Sequence, residues 1–523
     1  MSVLSTIKGW FKQKGGGLIA MKQKEHYERL IDHPRINIDP DELKRIEATF
    51  RDYRGQYPKV KELNVEHERI ERDFRYLNMT KEVASHMATL SVNENCEIVI
   101  GQTNDDGELI ESDMNKFWQS VTADTDFIRN LAKYVEPALA TGGLAVKPYW
   151  DSGSRRIEFS WCLADAFIPL RMNTNSISEA VIPSVTTEVA GNETYYYTLL
   201  EFHEWEQDLY VITNELYKRK EPNGLGERVP LHSLDAYKGL QGTYTIPNLT
   251  RPQFSYFKPA GFNNINPRSP LGLGLCDNAK PTIDGINLAY DKLWKEIDNS
   301  EAIKIVSDHF LRTRTDHNGR LVEYFNKTDT VFKALPSGGN MDDMVYKDLT
   351  TDLRIGSYTE AINKYIATLE FQAGLSGNTF VFDGAKGAVT ATEVVSKDSK
   401  TYQTRNKHVQ ELREFIIDLV ISTFELAKWV KADGRTLYSG DIPTREEIGV
   451  NFDDGVFESR SSELEFYTKA ERYMPTIEII QRLFNIPMAE AQKWIDMKNQ
   501  EVYQTSNEYR EMKAEKDLFG QGE

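Results

Sequence analysis

The densest group of hard oxygen donors in the sequence is NFDDGVFES, where Asp453, Asp454 and Glu458 could hold a divalent cation and support a metal-dependent hydrolase. An Asp-Asp-Gly stretch is more often a solvated turn, so no metal is assigned and the hydrolase stands as the alternative reading. His317 beside Asp316 has the type of a general base, but no nucleophile or second acid accompanies it, and an exposed polar turn accounts for the pair. Gly272, Gly274 and Asp277 ahead of a helix carry part of a dinucleotide-binding fingerprint; the third glycine is missing and no parallel βαβ pattern surrounds them. The nine histidines form no HExxH, and neither a GxSxG elbow nor a GxxxxGK[ST] loop occurs. Tyr195, Tyr196 and Tyr197 suggest a stacking platform, but on a strand neighbouring side chains point to opposite faces, so sheet packing explains them better. Cys96, Cys162 and Cys276 are far apart and odd in number, which argues against a disulfide framework or a zinc site. The expectation is a protein that is not an enzyme, with no catalytic residues, metal or cofactor.

Composition limits the remaining classes. With 40% hydrophobic and 27% charged residues over 523 positions, the chain is globular and long enough for several cores. No apolar run reaches the roughly 18 residues of a membrane span, and the richest, FIIDLVI, carries Asp418. Lys8 and Trp10 interrupt what would have to be a signal core, so a cytosol-like compartment, or a particle assembled there, is expected. The net charge of −17 disfavours tight duplex binding, because such affinity comes largely from phosphate neutralisation. Transient passage of DNA through an acidic, weakly adhesive conduit is compatible with it.

The elements that must position any site centre on residues 277–429. PTIDGINLAYDKLWKEIDNS predicts a helix from Pro281 with Ile283, Ile286, Tyr290, Leu293, Trp294 and Ile297 on one stripe. YTEAINKYIATLEFQAG predicts a second, with Tyr358, Ala361, Ile362, Tyr365, Ile366 and Leu369 aligned and a stop near Gly374. Between them, IKIVS, HFLRTR, LVEYF and TVFKAL read as short strands, with Asn318-Gly319 as a tight hairpin turn and SGGNMDDMV as a loop. Gly374, Gly377, Gly384 and Gly387 punctuate a segment that reads as a movable loop. A third helix begins at TATE, where Thr390 and Glu393 fit a capping box, and stays free of Gly and Pro until Gly434, roughly 60 Å at 1.5 Å per residue. Its first half, Ser396 to His408, is polar on all sides but Tyr402 and calls for a partner other than a core; Val409, Leu412, Phe415, Ile416, Leu419, Val420, Phe424, Ala427 and Val430 form a core stripe.

Before this stretch, residues 1–25 read as a basic, glycine-broken mobile arm. Helices are expected from Asp39-Pro40, over TKEVASHMATLSV, and over DFIRNLAKYVEPALATGG with a stop at Gly142-Gly143. The period then changes to two: GLAVKPYW and RIEFSW form a hairpin, and AFIPL, EAVIPSVTTEV, ETYYYTLLEFHEW and QDLYVITNELYKR supply further strands of an α+β domain with a largely antiparallel sheet. After Gly434, REEIGVNFDDGVF supplies a strand, followed by two or three helices broken at Pro475 and Pro487.

The order of these elements resembles the portal proteins of tailed double-stranded DNA phages, in particular the branch of long-tailed phages of Gram-positive hosts. The likeness covers nearly the whole chain. It is carried by ALATGGLAVKPYWD, PQFSYFKP, NNINPRSPLGLGLCDNA with the helix to Ser300, GAVTATEVVSKDS, NFDDGVFES and PTIEIIQRLFNIPMAEAQKWIDMKNQE. The resemblance implies an α+β portal fold: a wing over 26–277, a stem helix over 278–302, a β clip over 303–352, a returning stem helix over 353–373, a tunnel loop over 374–389, a long wing helix and wing strand over 390–455, and a helical crown over 456–523. It implies a ring of twelve copies at the capsid portal vertex of a virion assembled in the host cytoplasm. That ring would pass double-stranded DNA during packaging and ejection, dock the terminase large subunit and the head-tail connector, and nucleate head assembly with the major capsid and scaffolding proteins, without a membrane. Gly377, Asn378, Thr379, Asp383, Gly384, Lys386 and Gly387 would line the channel. Arg312, Arg314, Asn318, Gly319 and Arg320 would form the docking edge of the clip. Ala388-Val389 stand where related sequences often have a basic residue, which leaves Lys386 as the nearest cation.

Overall fold

The computed structural model describes residues 26–63, 69–93, 96–101, 112–173, 176–298, 304–306, 312–315, 319, 321–324, 346–348, 353–382, 399–452, 475–484 and 491–498. The arm at 1–25, Thr390, Glu393, TVFKAL and most of the C-terminal region lie outside them. In chain order the first elements are β1 (His26–Tyr27), α1 (Pro40–Arg54), β2 (Val60–Leu63), β3 (Arg69–Arg72), α2 (Met79–Ser91), β4 (Glu97–Ile100), α3 (Asp113–Thr125) and α4 (Phe127–Thr141). Strands β5 (Leu144–Asp151), β6 (Arg156–Leu163), β7 (Ile168–Met172), β8 (Ile177–Ala190), β9 (Glu193–Glu206), β10 (Leu209–Arg219), β11 (Gly226–Val229), β12 (Thr243–Pro247) and β13 (Ser255–Phe257) follow. Then come α5 (Lys280–Asp298), β14 (Lys304–Val306), β15 (Arg312–Thr315), β16 (Leu321–Tyr324), β17 (Tyr346–Asp348), α6 (Ile355–Ala373) and α7 (Ser399–Trp429). The chain continues with β18 (Lys431–Ala432), β19 (Arg435–Thr436), β20 (Ile448–Asn451), α8 (Thr476–Phe484) and a helix over 491–498.

These elements separate into two compact units, one from the ranges 1–54, 80–277 and 389–523, the other from 55–79 and 278–388. The first holds a seven-stranded antiparallel sheet in the order β1-β11-β10-β9-β8-β7, with β12 also on β10, and a three-stranded sheet β13-β5-β6. The hairpin of its two longest strands, β8–β9, pairs 11 residues on each side, from Ala180 with His203 to Ala190 with Glu193, and turns in two, because Gly191 takes φ +65° as a tight hairpin turn requires. Alternation divides the three tyrosines as expected: Lys218 lies over Tyr195 and Tyr197 on one face, and Arg219 lies over Tyr196 on the other. The apolar stripe of α7, including Leu412, Phe415, Ile416, Leu419, Val420 and Phe424, is buried in the same unit.

The long helix ends at Trp429, where the central stretch was expected to end, and Asp433 and Gly434 at φ +52° and +81° make the turn of the β18–β19 hairpin just beyond it. One expectation about this helix changes. Its polar first half already has partners within its own unit. Arg405 and His408 are buried; Arg405 Nε donates to the Leu90 carbonyl at 2.8 Å, and His408 Nδ1 accepts the Ala260 N–H at 3.0 Å.

The second unit is the helix pair. Ile283, Ile286 and Leu293 of α5 and Ile362, Ile366 and Leu369 of α6 are buried, whereas Ile297 and Tyr365, also on the predicted stripes, stay 49% and 43% exposed. Thr282 bonds Gln372 at one end and Arg354 pairs with Glu296 at the other, so the helices run antiparallel. Residues 55–79 were expected to belong with the first domain; they group with the helices because polar side chains tie them there. Arg72 grips Asp291 with two bonds of 2.6 and 2.7 Å, and Asn287 accepts the Leu77 N–H at 3.0 Å and donates to Tyr57 at 3.0 Å. Burial alone would raise the Asp291 carboxyl, but its bonds to Arg72 and the Arg75 N–H outweigh burial and hold it below its ordinary value. Strands β14–β17 and β15–β16 make two antiparallel ladders in the segment between the helices. Strand β17 falls just past the expected SGGNMDDMV loop and was not anticipated. The last described pair of the hairpin is Thr315 with Leu321; Asn318 of the expected turn lies outside the described residues.

Candidate functional site: the loop root on the helix pair

The first glycine-rich segment has no space for a dinucleotide. A Cβ on Gly274 would lie 2.0 Å from the Ala140 carbonyl oxygen, and one on Gly272 would lie 2.5 Å from that of Gly142. These glycines let PLGLGL lie backbone to backbone on the end of α4, where the Leu275 N–H donates to the Leu139 carbonyl at 2.9 Å. Asp277 is a structural acceptor, taking bonds from Arg45 at 2.5 Å, Thr49 at 2.9 Å and the Gly274 N–H at 2.9 Å. Burial pushes its carboxyl up from the ordinary range despite those donors. Buried Glu42 and Asn263 extend the network: Asn263 Nδ2 reaches Glu42 at 3.1 Å and the Leu271 carbonyl at 3.0 Å.

The second glycine-rich segment starts where α6 stops. Gly374 at φ +74° caps the helix, and its own N–H and that of Leu375 both turn back to the Glu370 carbonyl. Leu375 and Ser376 are buried, and Thr379 Oγ1 donates to the Ser376 carbonyl at 2.7 Å. The Glu370 side chain, 1% exposed, then accepts the Asn378 N–H on one oxygen at 2.9 Å and the Phe380 N–H on the other at 2.7 Å. Seven residues earlier on the same helix, Asn363 clamps Phe382 from both sides: its Oδ1 accepts the Phe382 N–H at 2.9 Å and its Nδ2 donates to the Phe382 carbonyl at 2.9 Å. The Phe382 ring meets Tyr290 of α5 edge to face at 6.0 Å. Residues 374–382 are therefore fastened to both helices, a correction to the expectation that glycine keeps this stretch movable. Asn378 tolerates φ +65° because its short polar side chain suits the left-handed region.

Of the residues predicted for this loop, Gly377, Asn378 and Thr379 sit in the fastened root, while Asp383, Gly384, Lys386 and Gly387 lie outside the described residues. Of those predicted for the clip edge, Arg312 and Arg314 fall on β15 and Gly319 takes φ +76°; Asn318 and Arg320 lie outside the described residues. Asp453, Asp454, Glu458, Asp316 and His317 lie outside them too. Among the described residues no group of three or more His, Cys, Asp or Glu could hold a metal ion, and no helix is long and apolar enough to cross a membrane. Sequence reasoning passed over Glu370 and Asn363. The available signal was their i, i+7 spacing beside the buried stripe, which puts a carboxylate and a carboxamide on one side of a helix that ends in a glycine-rich turn.

The fold and this site together define an α+β protein whose helix pair carries a strand module at one end and a fastened loop at the other. The sequence matches the family described as Phage portal protein, SPP1 Gp6-like, over residues 32–504, and the chain belongs to that family. No curated protein sequence matches it. Among solved structures it is similar to a chain of the virion of a native gene transfer agent particle, at 11% identity and TM-score 0.39, covering 84% of this chain and 94% of that one. It is also similar to a chain in the neck of the empty particle computed with C6 symmetry, at 12% identity and TM-score 0.41, covering 84% and 93%.

Proposed function

We propose that this portal protein closes with copies of itself into a ring of twelve at one capsid vertex of a virion assembled in the host cytoplasm. The ring forms the channel through which double-stranded DNA enters and leaves. It docks the terminase large subunit and later the head-tail connector, and it nucleates assembly with the major capsid and scaffolding proteins. The strand module around Arg312, Arg314, Asn318, Gly319 and Arg320 offers the docking edge. The loop from Gly374 to Val389 lines the narrowest part of the bore, with Asp383, Gly384, Lys386 and Gly387 beyond its fastened root. Membership in the portal family supports this reading.

The observation that carries it is the antiparallel helix pair itself, with the strand module leaving from the Glu296–Arg354 end and the loop root secured at the opposite end. The net charge of −17 suits a wall that touches phosphates briefly, since a wall of fixed cations would hold them. Removing residues 384–387 is expected to leave ring formation intact and to impair DNA packaging or retention. A shortened variant that packages and holds DNA normally contradicts the role given to the loop.

A further inference from the structure

We infer that Glu370 and Asn363 are positioning residues for the channel loop: they fix where it leaves the helix pair, so that root and α6 act as one piece. The inference rests on the channel reading for its consequence and on geometry for its mechanism. A carboxylate buried to 1% exposure is costly unless its lone pairs are used, and here each oxygen takes a different backbone N–H, Asn378 at 2.9 Å and Phe380 at 2.7 Å. Two acceptors are needed, which a carboxylate supplies and a carboxamide does not. Asn363 has the complementary requirement. It meets an N–H and a carbonyl of the same residue, Phe382, and needs one acceptor and one donor. Each side chain is thus matched to its backbone partners, and exchanging their chemistry breaks one bond at each point without changing shape.

The two isosteric variants Glu370→Gln and Asn363→Asp test this in the full-length ring. Hydrogen exchange followed by mass spectrometry across residues 374–382 is expected to speed up by roughly tenfold or more at whichever of Asn378 and Phe380 faces the new amide group in the first variant, and at Phe382 in the second, where a carboxylate oxygen set against the Phe382 carbonyl repels that residue from its clamp. Exchange elsewhere in α5 and ring size should be unchanged, and DNA packaging or retention should fall in the same sense as after removal of 384–387. Unchanged exchange in both variants overturns the inference at its mechanism. Freed amides with normal packaging, while loop shortening still impairs packaging, overturn the positioning role and leave the channel reading standing. If loop shortening is also without effect, the channel reading itself fails and takes the positioning role with it. Should Glu370→Gln not assemble, Asn363→Asp, at a half-buried position on the helix surface, carries the same comparison.

Discussion

Gly272 and Gly274 in one unit and Gly374 and Gly377 in the other occur at similar density in the sequence, yet they serve different ends. In PLGLGL the missing side chains let two backbones touch, and Arg45 and Glu42 of α1 seal the contact together with Asp277. In LSGNTFVF the glycines provide a cap and an open turn, a Cβ at Gly377 would meet nothing within 4 Å, and the holding is done by Glu370 and Asn363. Glycine spacing alone therefore does not distinguish a packed joint from a loop. What distinguishes them is whether backbone or side chain supplies the neighbour.

Substitution should separate the two segments by size of effect. Gly274→Ala, which needs the Ala140 carbonyl to move, and Gly142→Ala, which adds a clash at 2.5 Å to a φ of +95°, are expected to destabilise the first unit by about 3 kcal/mol or more, read by chemical denaturation. Acid should act on the same region. His408, which accepts the Ala260 N–H ten residues before PLGLGL, is buried, and burial with help from Lys407 pushes its pKa down to about 4. Between the unfolded value near 6.5 and about 4 the unfolded chain takes up a proton that the native state refuses, so stability falls as pH drops through that window, by about 3 kcal/mol in all. His408→Gln should flatten that part of the pH profile. In the second segment Gly374→Ala, forced to φ +74°, should cost only about 1 kcal/mol. Gly377→Ala should stay within about 0.5 kcal/mol. A large loss at Gly377, or none at Gly274, breaks the comparison.

The helices of the second unit were legible because Ile283, Ile286 and Leu293, and Ile362, Ile366 and Leu369, repeat at the helical period, and burial follows that period directly. The two strands of the long β8–β9 hairpin were legible from alternation and β-branched content, whereas their pairing with each other was not. What escaped depends on polar contacts between distant residues, which carry no period. The 55–79 segment joins the helices through Arg72 with Asp291 and Leu77 with Asn287, pairs separated by 219 and 210 positions. His408 and Arg405, on the half expected to meet a partner other than a core, are buried because single backbone groups, Ala260 N–H and Leu90 C=O, lie within their reach. Glu370 was hidden for the same reason: the direction of an N–H in an irregular turn follows from its dihedral angles, which composition does not encode.

The central claim, that this chain acts as one segment of a closed ring around a bore, is tested most directly by imaging the purified full-length protein alongside a native mass measurement. A 60.0 kDa subunit closing twelvefold predicts annular particles with an open centre and a mass of about 720 kDa. A homogeneous population of single 60.0 kDa molecules, without annular particles at any protein concentration, would contradict it.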